Sequence, residues 1–431
     1  MSSYTRECGP QNLRAEHRFF LNLSAAPVLL ALLAGWVPQH ALATTSDTQF
    51  QQYITNICSL TSPNTAPPAG PPNTAPPAGS PNTALPAGWD TLTINAMCAN
   101  ARSGLVGGGG TVSANMGTLN AGSEISLRKR KGVHERLDVQ KEKADKGASA
   151  DGGGWGFLVT PQYSKSNRME TDLENGYQSE LAGLVVGLDY RFTDSFVLGG
   201  TLGQTKDNTN FFNSAGSLKT SNNTFTLYGT WLPSESVAID GYLGTGKINF
   251  DSQRHVVFGL ISGMDSGRTT GDQLMAGLSA SYQKDIGRVN VAPFINLDFI
   301  KTSINGYNES GTTTMEMHYG NRSALSLTSS LGSRVSTSYG HDWGTLVPSA
   351  RLALVHEFQN RTSQISNELV STPGTGFLVA TDAPDRNYLI AGLGVAAALN
   401  GGTQLFLDYE KRTQDRLLSS WAITAGVLVG F

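Results

Sequence analysis

The sequence predicts an all-β membrane protein: a 12-stranded antiparallel up-and-down transmembrane β-barrel, preceded by a linker helix and a short, Pro-rich, largely disordered segment. Three observations lead there. The chain ends on a strictly alternating stretch, Ser420 to Phe431. From Trp155 onward, segments of about ten residues repeat the same apolar–polar alternation. The connections between those segments are alternately short and long.

In the terminal stretch Trp421, Ile423, Ala425, Val427, Val429 and Phe431 share one face, and Ala422, Thr424, Gly426, Leu428 and Gly430 share the other. Successive side chains of a strand point to opposite sides, so this is a strand with one large apolar face and one face of mostly small residues. Such a strand suits a wall between lipid and a lumen. The last strand of a soluble sandwich would carry the same pattern, so the stretch alone decides nothing.

A chain of 431 residues could hold two or three soluble domains or one large β-structure. With 15% charged residues and a net charge of -3, nothing draws it to nucleic acid. After the N-terminal region no apolar run reaches the ~18 residues of a membrane helix. A barrel is compatible with that, because its lipid-facing residues occupy only every second position.

The N-terminus carries Arg6, Arg14 and Arg18, an apolar stretch from Phe19 to Val37, and Ala41-Leu42-Ala43. A basic region, an apolar core and a small-x-small tripeptide make residues 1–43 a secretory signal. An uncleaved anchor is the alternative, but Pro27 interrupts the core and leaves it short of the ~20 residues a span needs.

Residues 44–122 form a Pro-rich stalk. Within it SPNTAPPAG, PPNTAPPAG and SPNTALPAG follow one another over 62–88. Proline at this density removes amide donors and favours an extended polyproline II spacer with no core of its own. Cys58 and Cys98 bracket the repeats and would remain after signal removal, whereas Cys8 precedes the cleavage point. In an oxidising compartment those two can pair, closing a loop over the stalk.

Residues 123–151 are a charged linker, with a helix expected over 123–146 from a Ser-rich start and the Gly147 stop. Arg128, Lys129, Arg130 and Lys131 lead a basic run that also includes Arg136, Lys141, Lys143 and Lys146. A nucleic-acid patch is one reading. A solvated helical linker is preferred, since no aromatic residues interleave the charges.

The remainder, 152–431, contains twelve alternating segments: 154–163, 181–192, 196–205, 222–231, 236–248, 272–284, 288–301, 323–337, 345–357, 386–399, 403–411 and 419–431. Tight turns are expected at 193–195, 232–235, 285–287, 338–344 and 400–402, and long polar loops at 164–180, 206–221, 249–271, 302–322, 358–385 and 412–418. An even strand count with this parity belongs to an up-and-down membrane barrel and not to a Greek-key sandwich. Trp155, Tyr163, Tyr190, Phe192, Trp231 and Tyr409 stand near segment ends, where interfacial aromatic girdles form.

Taken together, the chain resembles a bacterial autotransporter of type V secretion. The residues carrying the likeness are Gly152-Gly153-Gly154-Trp155-Gly156-Phe157, Ile239 to Gly244, Val347 to Leu352 with His356-Glu357-Phe358, and the terminal Val427 to Phe431. Unlike many members, it has no long β-helical passenger. The resemblance implies an outer-membrane barrel with a helix threaded through its pore and a small passenger carried to the cell surface. It also implies periplasmic chaperones and a barrel-assembly machinery that reads the terminal strand, here Trp421, Val427, Val429 and Phe431.

With apolar positions toward lipid, Asp189, Asp240, Asp298, Asp408 and Glu410 face the lumen, together with Arg334 and Arg351. We expect the basic helix to be held there partly by charge complementarity. A host surface ligand for the stalk is a further expected partner, which would make the chain an adhesin. A porin-like channel or barrel enzyme is the third reading.

No G-x-S-x-G, H-E-x-x-H, C-x-x-C or phosphate-loop pattern occurs, so neither catalysis nor a cofactor or metal is expected. His356 and Glu357 are adjacent on a strand and therefore face opposite sides.

Overall fold

A computed structural model describes residues 154–431, apart from 172–173, 259–260, 360–363, 375, 401 and 431. The signal, the stalk with Cys58 and Cys98, the linker with Arg128, Lys129, Arg130 and Lys131, and Phe431 lie outside the described residues.

Twelve strands make the wall: β1 (Trp155–Arg168), β2 (Tyr177–Thr193), β3 (Phe196–Phe211), β4 (Gly216–Ser234), β5 (Val237–Phe258) and β6 (Ile261–Tyr282), then β7 (Val289–Ile304), β8 (Arg322–Thr337), β9 (Gly344–Glu357), β10 (Asn387–Leu399), β11 (Thr403–Thr413) and β12 (Leu418–Gly430). Each pairs antiparallel with its neighbours in sequence. The ring closes where β12 pairs with β1, Val427 opposite Val159 and Ile423 opposite Tyr163. Closure satisfies every edge, which lipid requires because it offers no hydrogen bonds.

The period-two pattern sorts the side chains. On β4 Thr224, Thr226, Tyr228 and Thr230 are buried inward, while Phe225, Leu227 and Trp231 are exposed outward. On β12 Thr424, Gly426 and Leu428 face inward and Ile423 and Val427 outward. The small Gly426 has a packing reason: a Cβ there would lie 2.2 Å from the Phe406 ring, which rests on it.

Aromatic clusters mark both rims. Trp155, Tyr190 and Phe192 pack edge to face at the short-turn end, with ring centres 5.0 and 4.9 Å apart. Tyr163, Trp421 and Tyr409 gather at the other end.

Two expected loops are not loops. Residues 206–221 and 249–271 belong mostly to β3–β4 and β5–β6, and the first of these hairpins turns at 212–215. β5 and β6 each run 22 residues, about 70 Å at ~3.3 Å per residue, against the ~10 needed to cross a membrane. The short–long parity therefore becomes a difference in how far hairpins project. Five connections stay close to the wall, while the opposite end rises into a tall crown.

Two segments at that end keep the character of long connections, 305–321 between β7 and β8 and 358–386 between β9 and β10. They build a second sheet, in the order Phe377–Ala380, Gln364–Leu369, Met317–Tyr319, Tyr307–Asn308.

Candidate functional site

The inner wall is polar within the membrane band, and its charges have partners from the next strand or the next but one. The Tyr228 hydroxyl donates to Asp189 at 2.5 Å, Thr230 to Asp240 at 3.0 Å and Tyr242 to Asp298 at 3.0 Å. Enclosed carboxylates need such donors, since a buried charge without them is costly. Gly277 makes the last pair feasible: a Cβ there would stand 2.2 Å from the Tyr242 ring and 2.6 Å from Asp298.

Along the wall Gln273 accepts from Asn222 Nδ2 at 3.1 Å, over the intervening β5, and donates to Thr302 on the adjacent β7 at 3.1 Å. Arg351 pairs with Glu410 and lies 3.5 Å from Asp408. Arg334 stands opposite Arg351 in the ladder. All five acidic residues singled out in the sequence thus lie on the inner wall, and Arg351, Asp408 and Glu410 are brought together. Those three form an ion-pair network on the wall, in the mixed lumen expected from the sequence, and the basic helix expected to face it lies outside the described residues.

Among the terminal-strand residues, Trp421, Val427 and Val429 lie on the outer face. His356 meets Asn387 at 2.8 Å outside, while Glu357 turns inward to Ser326 and two backbone amides, so the pair has no joint chemistry.

Above the membrane band the inner face changes character. Tyr177, Phe211, Leu218, Ile248, Phe250, Val256 and Ile304 from the wall pack with Tyr307, Met315, Met317, Tyr319, Ile365, Leu369 and Val379 from the two long connections. β2 to β5 stand across the ring from β9 and β10, so segment 358–386 reaches over the barrel mouth to meet them. The result is a cap with its own apolar core.

Ion pairs latch the cap. Arg254, only 2% exposed, holds Glu309 through Nε (3.0 Å) and Nη2 (2.5 Å), Asp265 at 3.2 Å and the Met315 carbonyl at 2.8 Å. Thr313 donates to Asp265, and the Met317 amide to Glu309 at 3.0 Å. Burial opposes the Arg254 charge, yet Tyr319, Glu309 and Asp265 more than offset it and keep its pKa above the ordinary arginine value.

A second latch joins Arg168 to Glu174 at 2.9 Å and to Asp382 at 3.2 Å. Burial, aided by Asp382 and opposed by Arg168, pushes the Glu174 carboxyl above the usual range. A third joins Arg416 to Asp385 at 2.9 Å. None of these cap residues was singled out from sequence. The available signal was the row Ile248, Phe250, Ser252, Arg254, Val256, a strand whose apolar phase has shifted by one residue.

The comparisons with known proteins agree with this architecture. A family model described as autotransporter beta-domain matches residues 157–410, more than half of the chain. The chain belongs to the autotransporter β-domain family. It is an outer-membrane translocator barrel of the Gram-negative type.

The translocator domain of the autotransporter NalP from Neisseria meningitidis superposes with a TM-score of 0.57 at 14% identity, covering 74% of this chain and 99% of that structure. In sequence the chain is 25% identical to "Lipase 1" of Photorhabdus luminescens over 255 residues and 24% identical to the BrkA autotransporter of Bordetella pertussis over 319. Those matches cover 58% and 72% of this chain, but only 38% and 28% of the respective relatives.

Proposed function

We propose that this chain exports and displays its own short N-terminal segment, 44–122, on the cell surface. The observation that carries the reading is a closed twelve-stranded wall around a polar lumen, in a chain whose preceding sequence has the pattern of an export signal, a Pro-rich stalk and a basic linker. An extended stalk of this composition has no core to unfold, so it suits passage through a narrow lumen.

In this reading the linker helix 123–146 sits in the lumen beside Asp189, Asp240, Asp298, Asp408 and Glu410. Its basic residues Arg128, Lys129, Arg130 and Lys131 join a network that Arg351 already begins. Trp421, Val427, Val429 and Phe431 are the assembly signal read by the barrel-assembly machinery after chaperones deliver the chain, and Cys58 pairs with Cys98 after export. The stalk meets a host surface ligand by binding. No residue pattern in 44–122 supports an enzymatic passenger, although one relative bears the name of a lipase.

Protease shaving of intact cells tests the reading, with antibodies against 44–122 and against the barrel. The stalk is expected to be cleaved outside while the barrel band persists. A stalk protected in intact cells and cleaved only after outer-membrane permeabilisation would overturn it.

A further inference from the structure

The outward rows of the wall carry a second pattern. On five of the six strands that run toward the crown, the lipid-facing row ends in lysine. Tyr163 is followed by Lys165 on β1, Leu202 and Gln204 by Lys206 on β3, and Leu243 and Thr245 by Lys247 on β5. Leu297 and Phe299 precede Lys301 on β7, and Tyr409 precedes Lys411 on β11. At the opposite rim the outward rows end mostly on uncharged residues, among them Trp155, Phe192, Phe196 and Trp231, with Lys284 beyond Tyr282 as the exception on the β6 row.

On β3 to β5 the lysines converge. Lys206 stands opposite Ser221, two residues from Lys219 on β4. Lys247 stands opposite Asn223, whose side chain receives a 3.2 Å bond from Gln204. All three lysines are exposed, and none makes an ion pair among the described residues. Asp251 lies opposite Lys219 but is taken by Arg268 at 3.1 Å, and Asp272 lies opposite Lys247. Directly below, Leu202, Phe225 and Leu243 form an exposed apolar floor.

Diagonal neighbours on a sheet stand about 7–8 Å apart, so Lys206 and Lys219 can close on one phosphate, while Lys247, two strands from Lys206 and beside Asn223, can reach a second group of the same extended headgroup through its long side chain. We propose that Lys206, Lys219 and Lys247, with Gln204 and Asn223, bind the phosphorylated headgroup of an outer-leaflet glycolipid whose acyl chains lie on Leu202, Phe225 and Leu243. Charge complementarity and the concentration of the outward lysines at one rim select this occupant, since the outer membrane carries its phosphorylated glycolipid in one leaflet. The proposal rests on the orientation above, with the crown at the cell surface.

The test uses the full chain in detergent micelles, with native mass spectrometry of binding to bis-phosphorylated lipid A and to the same lipid dephosphorylated. Wild type is expected to retain the phosphorylated lipid selectively. The triple variant K206Q/K219Q/K247Q is expected to bind it about tenfold or more weakly, and K284Q at the opposite rim to bind like wild type. Heat-modifiable gel migration verifies that each variant is a folded barrel. Equal binding of the two lipids, or undiminished binding by the triple variant, would overturn the proposal.

Labelling of K206C in intact cells with a membrane-impermeant maleimide separates the two readings. Label confined to permeabilised cells contradicts the orientation and, with it, this proposal. Label from outside without phosphate selectivity contradicts this proposal alone.

Discussion

The membrane wall and the crown are built from the same strands with opposite polarity. On β5 the row Ile239, Gly241, Leu243 faces lipid and the row Asp240, Tyr242 faces the lumen. A few residues later the outward row reads Lys247, Asn249, Asp251, Gln253 and the inward row Ile248, Phe250, Val256. The twofold period never breaks. What changes is the solvent on each side: hydrocarbon outside and an enclosed polar lumen below, water outside and a packed cap above. The same backbone geometry thus serves two opposite burial problems, and the position of the inversion marks the membrane surface more sharply than loop length does.

The largest effect should fall on the crown alone. Glu309→Ala leaves Arg254 buried without its main partner, a loss of about 3–5 kcal/mol in cap stability. Hydrogen exchange at Met317–Tyr319 and Gln364–Leu369 should accelerate strongly while the wall strands keep their protection. Because a buried ionic network is replaceable by uncharged side chains of similar volume, Arg254→Met combined with Glu309→Leu and Asp265→Asn should recover most of that protection. Equal acceleration in wall and cap would mean that the two regions are one cooperative unit.

A somewhat smaller effect separates the two outward faces. Leu227→Arg puts a charge in the lipid-facing row and should cost about 2–4 kcal/mol, seen as reduced insertion by heat-modifiable migration. Asn249→Arg, outward on the crown, should stay within about 0.5 kcal/mol of wild type. Within the lumen, Tyr242→Phe removes the Asp298 donor and should cost about 1–3 kcal/mol, measured as a lower urea midpoint in micelles.

The smallest effect is a pH dependence of the second latch. Burial raises the Glu174 pKa in the docked cap, so the protonated form is favoured there. Docking then contributes most below the ordinary carboxylate range and weakens as pH rises through the elevated value. Exchange protection of Phe377–Ala380, corrected for intrinsic rates, should fall with rising pH, and Glu174→Gln should flatten that slope. A slope of the opposite sign would mean that the Arg168 charge dominates over burial.

What could be read from the sequence follows the same division. Strand number, closure of β12 on β1 and the inward placement of Asp189, Asp240, Asp298, Asp408 and Glu410 were legible, because lipid imposes apolar residues at every second position. The crown was not, for two physical reasons. Where the apolar row moves to the inner face and includes Ser252 and Arg254, a search for lipid-facing alternation finds a polar loop at 249–271. The cap strands are only two to six residues long and depend on partners far away in sequence, Met317 on Leu369 and Ile365 on Val379. Their stability comes from tertiary burial that no local pattern announces. The wall partners of the acidic residues were missed similarly, since Tyr228 and Tyr242 read simply as aromatic strand residues.

The inversion on β5 can be measured directly with single-cysteine variants at 243, 249 and 250, carrying an environment-sensitive fluorophore in bilayers containing brominated lipid. Label at 243 should be quenched by the brominated lipid. Label at 249 should be quenched by aqueous iodide, and label at 250 protected from both. Equal iodide quenching at 249 and 250 would contradict the account, because it would make the segment a solvated loop with no inner face.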